Sequence, residues 1–219
     1  MDKLSEIIEN YLKRYKVEDV INQNSKILFI LESPHTQEMK YGYPVAGSSG
    51  VDMTKFIYGQ EFNDSFGKIV SQVDKYSDDY PNLTNFSILN VSSAPMQKRG
   101  LKAYKLSSND EQVIDILEKL RVNYKTKQHK NKDWNRVKSM LLEDFKQRLL
   151  LALEKSNSIK YLVPCGRFAE AYLNLSKELE VSIAERRIIS EIPHPSFNQW
   201  FHYDSMEKLR KVLDEVGIS

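Results

Sequence analysis

The segment KILFIL at residues 26–31 is a nearly continuous apolar run, and polar residues with a proline follow it directly. Such a short run predicts a β-strand that is buried on both faces, as the central strands of a parallel sheet are. Similar short runs lie at residues 86–91, 159–165 and 186–192. The sequence therefore predicts four strands of one buried sheet.

Helical patterns alternate with these four runs. The first lies within residues 1–15, where apolar residues recur at helical spacing. The others cover residues 66–76, 111–120, 134–155, 167–179 and 206–216. An alternation of strands and helices favours a parallel sheet with helices on both faces. We therefore expect one α/β domain over residues 1–219, a three-layer α/β/α sandwich with a central four-stranded, mainly parallel sheet.

Composition places the chain among ordinary globular proteins, since 41% of its residues are hydrophobic and 28% are charged. A length of 219 residues fits one α/β domain with insertions better than two small domains. The single cysteine, Cys165, excludes an internal disulfide and any site that needs several thiolates from this chain. We expect a cytoplasmic protein, because no apolar run approaches the roughly 20 residues of a membrane span and the N-terminus does not resemble a signal peptide.

Positive charge is concentrated in two segments, although the net charge is only +2. Residues 96–102 and 121–138 are rich in Lys and Arg, and the second segment, which we interpret as a basic insertion, also contains Tyr124 and Trp134. Cations with interleaved aromatic rings are typical of surfaces that follow phosphates and stack on bases. A solvated loop or helix face would explain both segments equally well.

The loops after the predicted strands are the expected place for a site. In parallel α/β sheets, ligands bind outside the carboxyl ends of the strands. The loops in question are residues 32–50, 90–100, 165–167 and 193–200. Candidate functional residues are therefore sought in these four segments.

Several short motifs occur in these loops in a fixed order. They are LESPH at residues 31–35, GYPVAGSSG at 42–50, ILNV at 88–91, CGRFA at 165–169 and HPS at 194–196. Together they resemble the active-site motifs of the uracil-DNA glycosylase superfamily, most closely those of the family 4 enzymes. The family patterns are Gly-Glu-Ala-Pro-Gly, Gly-X-Pro-Phe-Val-Gly-X-Ser/Ala-Gly, Thr-Asn-Val, Leu-Gly-X-X-Ala and His-Pro-Ser. The order and spacing of the motifs carry the resemblance.

The resemblance implies an enzyme that hydrolyses the N-glycosidic bond of uracil or another deaminated or damaged base in DNA, as in base excision repair. Negative charge grows on the departing base while the sugar becomes oxocarbenium-like, so the site needs a donor aimed at the base. His194 would be this donor, and Glu32 would orient or deprotonate the attacking water. Asn90 would read the edge of an extruded base. Alternatively, Glu32 holds loop amides and Asn90 is a satisfied turn residue.

Further site residues implied by the resemblance fall into three groups. Those expected around the base, beside Asn90, are Pro34, Tyr43 and Val45. Those expected to bind DNA phosphates are Gly47, Ser48, Ser49, Lys98, Arg99, Arg167 and Ser196. Phe197 and Trp200 are the candidates for an aromatic wedge that fills the base stack. An ordinary glycine-rich turn, a capping serine and core packing of both rings are equally simple explanations.

The chain departs from the family pattern at several positions. Its single cysteine cannot hold the iron–sulfur cluster of the family 4 enzymes, and we predict neither a cofactor nor a metal. Val45 stands where the family has the phenylalanine that stacks on uracil, a contact worth about 1–3 kcal/mol. Either Tyr43 or Phe66 replaces that ring, or the base is not uracil. Leu31 and His35 replace two glycines of the first motif.

Three other functions are compatible with the same residues. A catalytically inactive protein of this fold would bind nucleic acid, and a related glycosidase would act on free nucleosides or nucleotides. A metal-dependent hydrolase would use four side chains: Glu32, His35, Asp52 and His194. The basic segments favour DNA, single- or double-stranded, as the partner. We expect a monomer that does not associate with membranes.

Overall fold

The computed structural model of the protein describes residues 2–179 and 181–218. Within these residues the strands form one four-stranded sheet. The strands are β1 (Ile27–Leu31), β2 (Phe86–Asn90), β3 (Tyr161–Pro164) and β4 (Arg187–Ile188). Their order in the sheet is β2-β1-β3-β4, and every neighbouring pair is parallel. The first three predicted strands are confirmed.

Helices connect and cover the strands. They are α1 (Lys3–Arg14), α2 (Thr36–Tyr41), α3 (Ser48–Tyr58), α4 (Phe66–Ser71), α5 (Val73–Tyr76), α6 (Ser108–Val122), α7 (Lys132–Lys155), α8 (Arg167–Leu179), α9 (Val181–Ala184) and α10 (Met206–Glu215). Short 3₁₀ helices cover Leu83–Asn85, Lys98–Leu101 and Ser196–Phe201. Of the helices within the described residues, none combines the length and apolarity needed to cross a bilayer.

The sheet separates two apolar cores. On one face, helices α1, α6, α7 and α8 pack against alternate strand residues such as Leu28 and Ile30. On the other face, helices α3, α4 and α10 pack against the intervening residues, such as Phe29 and Phe86. All five residues of β1 are buried, which is why KILFIL is apolar on both faces. The expected three-layer α/β/α sandwich is therefore observed.

The fourth strand is shorter than the predicted residues 186–192. Only Arg187 and Ile188 pair with β3, and Glu191 adopts a left-handed conformation (φ 68°) that interrupts regular pairing. A single parallel bridge between Cys165 and Ile192 then returns the chain to the sheet. This bridge places the segment after Ile192 beside the carboxyl end of β3.

Two helical predictions need correction. Residues 66–76 form two helices instead of one, because Gln72 (φ −129°, ψ 49°) leaves the helical region between α4 and α5. Residues 32–50 were expected to be loop, but they contain α2 and the first turn of α3. Helix α2 ends where Gly42 takes a left-handed conformation (φ 81°), a position that favours glycine.

Candidate active site

A cleft of about 1280 Å³ opens at the carboxyl edge of the sheet. The strand register explains its position, because Leu31 lies opposite Asn90 and Ile30 lies opposite Pro164. The loops after β1, β2 and β3 therefore begin at the same level, and the bridge at Ile192 brings the loop after β4 to them. Pockets for small molecules usually measure about 300–1,000 Å³, so this cleft has room for a ligand larger than one small molecule.

Most of the residues predicted from the sequence line this cleft. They are Glu32, Val45, Gly47, Ser48, Ser49, Asn90, Arg99, Arg167, His194, Ser196 and Phe197. Four predicted residues lie outside its lining, namely Pro34, Tyr43, Lys98 and Trp200. The fold therefore places the acidic, amide and imidazole groups of the motifs along one cleft. Four of the other predicted site residues do not belong to its lining.

Glu32 follows β1 directly, and its side chain is paired with an arginine that the sequence pattern did not single out. Arg121 donates from Nε to Glu32 Oε1. Burial raises the pKa of Glu32, and the interaction with Arg121 opposes that rise. Arg121 was predicted to begin a basic insertion at 121–138, but α6 continues to Val122 and carries this side chain into the cleft.

His194 approaches the cleft through the loop after β4. Gly166 (φ 96°) permits this approach, since a Cβ at that position would lie 3.2 Å from His194 Cβ. His194 Nδ1 lies 3.0 Å from the Ser196 hydroxyl and accepts the backbone N–H of Ser196 at 3.2 Å; the backbone donor favours the neutral tautomer with its proton on Nε2. Burial, and secondly the charge of Arg121, lower the pKa of His194 to about 4. The imidazole is therefore neutral at neutral pH and can donate from Nε2.

Asn90 ends β2 and is only 1% exposed. Its backbone carbonyl accepts a hydrogen bond of 2.9 Å from Arg148 Nη1. Its side-chain amide lies near the Glu38 carboxylate and helps to lower the pKa of that group, but it makes no hydrogen bond of good geometry to any described residue, and Asn90 lines the cleft. A buried polar group without a partner costs about 1–3 kcal/mol. Both polar atoms of the amide are covered in the free protein, so a ligand in the cleft reaches them only when the groups that cover them move.

Glu38, on α2, fixes the loop beside Asn90, although the sequence motifs did not single it out. Its carboxylate accepts hydrogen bonds of 2.7 Å from the backbone N–H groups of His35 and Val45. Burial raises the pKa of Glu38 to about 7, against the effect of these donors. The available signal was its place three residues after His35, where a capping box puts an acidic residue.

Val45 occupies the position of the expected stacking ring and adopts a left-handed conformation (φ 45°). This conformation is costly for a β-branched residue. Close packing holds it, since a Cβ on Gly50 would lie 1.8 Å from the Val45 carbonyl oxygen. Neither proposed replacement supplies a ring to the cleft lining: Tyr43 stacks on Tyr41, and Phe66 is fully buried in the core.

The predicted phosphate-binding residues divide into two groups. Ser48 and Ser49 form the first turn of α3, whose initial N–H groups lack helical partners and favour anions. Arg99 and Arg167 also line the cleft. Lys98 lies outside the cleft lining, where its ammonium pairs with Asp115 at 2.6 Å. Lys98 is therefore a surface ion-pair residue and not part of the cleft.

The two wedge candidates also differ. Phe197 is 90% exposed at the cleft and takes a left-handed conformation (φ 59°). Trp200 is 1% exposed, contacts Phe29 in the core and donates from Nε1 to the Pro193 carbonyl at 2.8 Å. The prediction of a wedge at Trp200 is therefore wrong, because core packing and a hydrogen bond hold the ring inside the protein.

Two further predictions concern Pro34 and a metal. Pro34 is buried beside the 3₁₀ helix that contains Gly100, which explains its absence from the cleft lining. Asp52 lies on α3 and accepts the backbone N–H of Asn198 at 3.3 Å. Among the described residues, no three His, Cys, Asp or Glu side chains are grouped closely enough to hold a metal ion.

No protein-family model matches this chain, and no curated protein sequence is significantly similar to it. The chemistry of the cleft is therefore inferred from the side chains that line it. A partly buried carboxylate, a neutral imidazole with its proton on Nε2 and an unpartnered amide meet at one edge of the sheet. These groups could activate water, donate to a developing anion and read a polar ring edge.

Proposed function

We propose that this protein is a DNA glycosylase that hydrolyses the N-glycosidic bond of uracil or another deaminated or damaged base. One observation carries the proposal: Glu32, Asn90 and His194 line the same cleft although they lie at or beyond the ends of three different strands, and the Asn90 amide has no hydrogen-bond partner among the described residues. The resemblance of the LESPH and HPS motifs to uracil-DNA glycosylases supports the same reaction. We place the activity in the cytoplasm.

In this mechanism the glycosidic bond breaks first, and the base leaves with the bonding electron pair. His194 donates a hydrogen bond from Nε2 to the anion that develops on the base. A neutral imidazole suits this role, and its low pKa keeps it neutral. The Glu32 carboxylate stabilises the sugar cation and takes a proton from the water that attacks C1′. Glu32 then releases this proton and the base anion takes one up, so the products are the free base and an abasic site.

Substrate binding follows from the lining of the cleft. Asn90 offers one acceptor and two donors to the edge of an extruded base. Arg99, Arg167 and the first N–H groups of α3 lie around the same cleft and favour the phosphates of a polymer. Phe197 is positioned to occupy the gap that extrusion leaves in the base stack. The size of the cleft favours a nucleotide within a strand over a free base.

A second function is supported by two other observations. Val45 offers no aromatic face to a base, and the Glu32 carboxylate is held by Arg121. A protein that binds extruded bases without cleaving them would tolerate both features. This alternative predicts DNA binding with no release of base.

The test is base release from single-stranded oligonucleotides that each contain one deaminated or damaged base, uracil and hypoxanthine among them. We expect wild-type protein to release at least one base. His194→Ala should lower the rate by about 10²–10³-fold, because one preorganised donor is lost. Glu32→Gln should lower it by about 10²–10⁴-fold, because a water-activating carboxylate is lost.

Matched variants control for the substitutions themselves. His202→Ala removes an exposed histidine from the segment that follows His194, and Glu170→Gln removes another carboxylate from the cleft lining. Both should keep wild-type rates. Binding of the oligonucleotides with no release of any base would instead support the non-catalytic alternative. Equal rates for wild type, Glu32→Gln and His194→Ala would reject the assigned roles.

A further inference from the structure

Arg121 holds Glu32 with only part of its hydrogen-bonding capacity. Its Nε donates to Glu32 Oε1, while neither Nη atom makes a hydrogen bond to any described residue. The side chain is 37% exposed and lines the cleft. A guanidinium has five N–H donors in a planar fork that suits both carboxylate and phosphate. Arg121 can therefore receive a second anion from the open side of the cleft.

Other cations lie around the same end of the cleft. Burial and then the charges of Arg99, Arg121 and Lys102 lower the pKa of His35, which places all three cations near that ring. The carboxylates of Glu32 and of the buried Glu38, whose charges interact with each other, oppose a second negative group there. The cleft lining as a whole contains three arginines and four carboxylates, so the excess of positive charge is local to the ring of His35, where the acting charges are all cationic. This excess favours an incoming anion.

We propose that Arg121 is a phosphate-binding residue that exchanges partners when substrate enters the cleft. In the free protein its guanidinium neutralises Glu32. A phosphate group of the bound strand takes the guanidinium, and the Glu32 carboxylate becomes free to act on water. The exchange rests on the proposed glycosylase function, but the phosphate site itself is measurable without any base release.

The exchange links binding to activation. A carboxylate bound to a guanidinium is a weaker acceptor for a water proton than a free one, because the ion pair stabilises its charged form. A phosphate at Arg121 would remove that stabilisation only when a strand is in place. Arg121 is thus a binding and positioning residue for Glu32, in contrast to Lys98, whose partner Asp115 lies outside the cleft lining.

A double-mutant cycle on binding tests the exchange. The probes are inorganic phosphate and an oligonucleotide of thymidines, titrated calorimetrically against wild type, Glu32→Gln, Arg121→Gln and the double variant. Glu32→Gln should bind each probe about tenfold more tightly, equivalent to about 1.4 kcal/mol, because Arg121 no longer has a competing partner. This gain should vanish in the Arg121→Gln background. Arg121→Gln alone should lower the salt slope of oligonucleotide binding by about 0.7.

Asp115→Asn is the matched control. It removes one negative charge and frees Lys98 from its partner outside the cleft, so it should leave phosphate affinity within about twofold of wild type, as expected of a screened surface pair. Arg121→Lys should restore part of the affinity but not the tenfold gain in the Glu32→Gln background, since an ammonium lacks the planar fork. The folding of each variant is checked by its thermal unfolding midpoint.

The outcomes separate the inference from the proposed function. No gain in Glu32→Gln, or an equal gain in the Arg121→Gln background or in Asp115→Asn, would overturn the exchange. If the gain in Glu32→Gln and its loss in the Arg121→Gln background are seen with the oligonucleotide, they support a phosphodiester of DNA as the partner of Arg121. If they are seen only with inorganic phosphate, they overturn the proposal that this partner is DNA. If no base is released from any oligonucleotide, the glycosylase proposal fails, while the binding cycle still decides the role of Arg121.

Discussion

The carboxyl end of β2 separates two buried polar regions that differ in how completely their groups are hydrogen bonded. On the core side, Arg148 contacts Asp19 at 3.0 Å and Asp144 at 2.8 Å, and it donates to the carbonyls of Asn90 and Val91. On the cleft side, the Asn90 amide has no partner within the described residues. The same residue is therefore anchored through its backbone carbonyl, while its buried side-chain amide lacks a hydrogen-bond partner.

This difference distinguishes polar groups that stabilise the fold from polar groups that could bind a ligand. A buried network whose donors and acceptors are matched holds the strand end in place. An unmatched buried amide lowers the stability of the fold, so its presence calls for another reason, such as a ligand that completes its hydrogen bonds. The cleft also holds Val45 and Phe197 in left-handed conformations, each costing about 1–3 kcal/mol. Among the described residues, three of the five non-glycine residues with a left-handed backbone line the cleft where we propose the reaction, namely Val45, Glu191 and Phe197.

The largest effect is expected from breaking the matched network. Arg148→Met keeps most of the side-chain volume but leaves the largely buried Asp19 and the partly exposed Asp144 without their cation. We expect the free energy of unfolding to fall by about 3–5 kcal/mol, as when one partner of a buried pair is removed. Chemical denaturation monitored by circular dichroism measures this change.

Arg136→Met provides the comparison on the same helix. Arg136 pairs with Asp2 at 3.0 Å, and both side chains are about half exposed; its Nε also donates at 2.8 Å to the Ser5 hydroxyl, which keeps Asp2 as a partner when Arg136 is removed. An exposed pair contributes about 0–1 kcal/mol, so this variant should remain close to wild type. Equal losses in the two variants would mean that the Arg148 network is no more important than a surface pair, and the contrast between the regions would fail.

A smaller change of opposite sign is expected from Asn90. Asn90→Leu replaces an unpartnered amide with an apolar group of similar size, so we expect the free energy of unfolding to rise by about 1 kcal/mol. Base release should fall at least about tenfold, because the polar edge of the base loses its partner. Thermal unfolding and the oligonucleotide assay measure the two effects.

Asn85 is the matched control for that substitution. It is also buried, but its side chain donates to the Val216 carbonyl at 3.1 Å. Asn85→Leu should therefore lower the free energy of unfolding by about 1–3 kcal/mol, since it leaves that carbonyl unpaired. A loss of stability in Asn90→Leu as large as in Asn85→Leu would show that the Asn90 amide is already satisfied in the free protein.

The same contrast explains how far the sequence predicts the structure. Strands buried on both faces leave a direct signal, since every residue of β1 must be apolar, and the sandwich follows from their alternation with helices. Glycines gave a weaker signal. Those in residues 42–50 indicated a loop, whereas Gly50 lies within α3 and is required there by its contact with the Val45 carbonyl. Only the packing distinguishes these two uses of glycine.

The candidate site was predictable where a motif fixes a position relative to a strand end. Glu32, Asn90 and His194 follow strands, so their meeting required only a parallel sheet. Arg121 pairs with Glu32 across 89 residues of sequence, and no local pattern indicates that contact. Trp200 could equally have been wedge or core from its sequence context, and its burial decides between them. Contacts set by tertiary packing were the part that the sequence could not supply.

The smallest predicted effect concerns Phe197, the candidate wedge, and tests whether its left-handed backbone lowers the stability of the protein. Phe197→Gly and Phe197→Ala both remove the exposed ring, but only glycine adopts a positive φ without strain. The glycine variant should therefore be more stable than the alanine variant by about 1 kcal/mol, the steric cost of a left-handed residue reduced by the greater entropy of unfolded glycine. Thermal unfolding of the two variants measures the difference.

Activity separates this strain from the function of the ring. Both variants should release base from double-stranded DNA more slowly than wild type, because extrusion costs a few kcal/mol there and the ring no longer offsets it. On single-stranded DNA, where little stacking opposes extrusion, both should approach the wild-type rate. Similar rates for all three proteins on double-stranded DNA would exclude Phe197 as a wedge. Its left-handed backbone would then follow from the hydrogen bonds that Trp200 and Asp52 make with the flanking residues. The strain at Phe197 would in that case have no role in the proposed reaction.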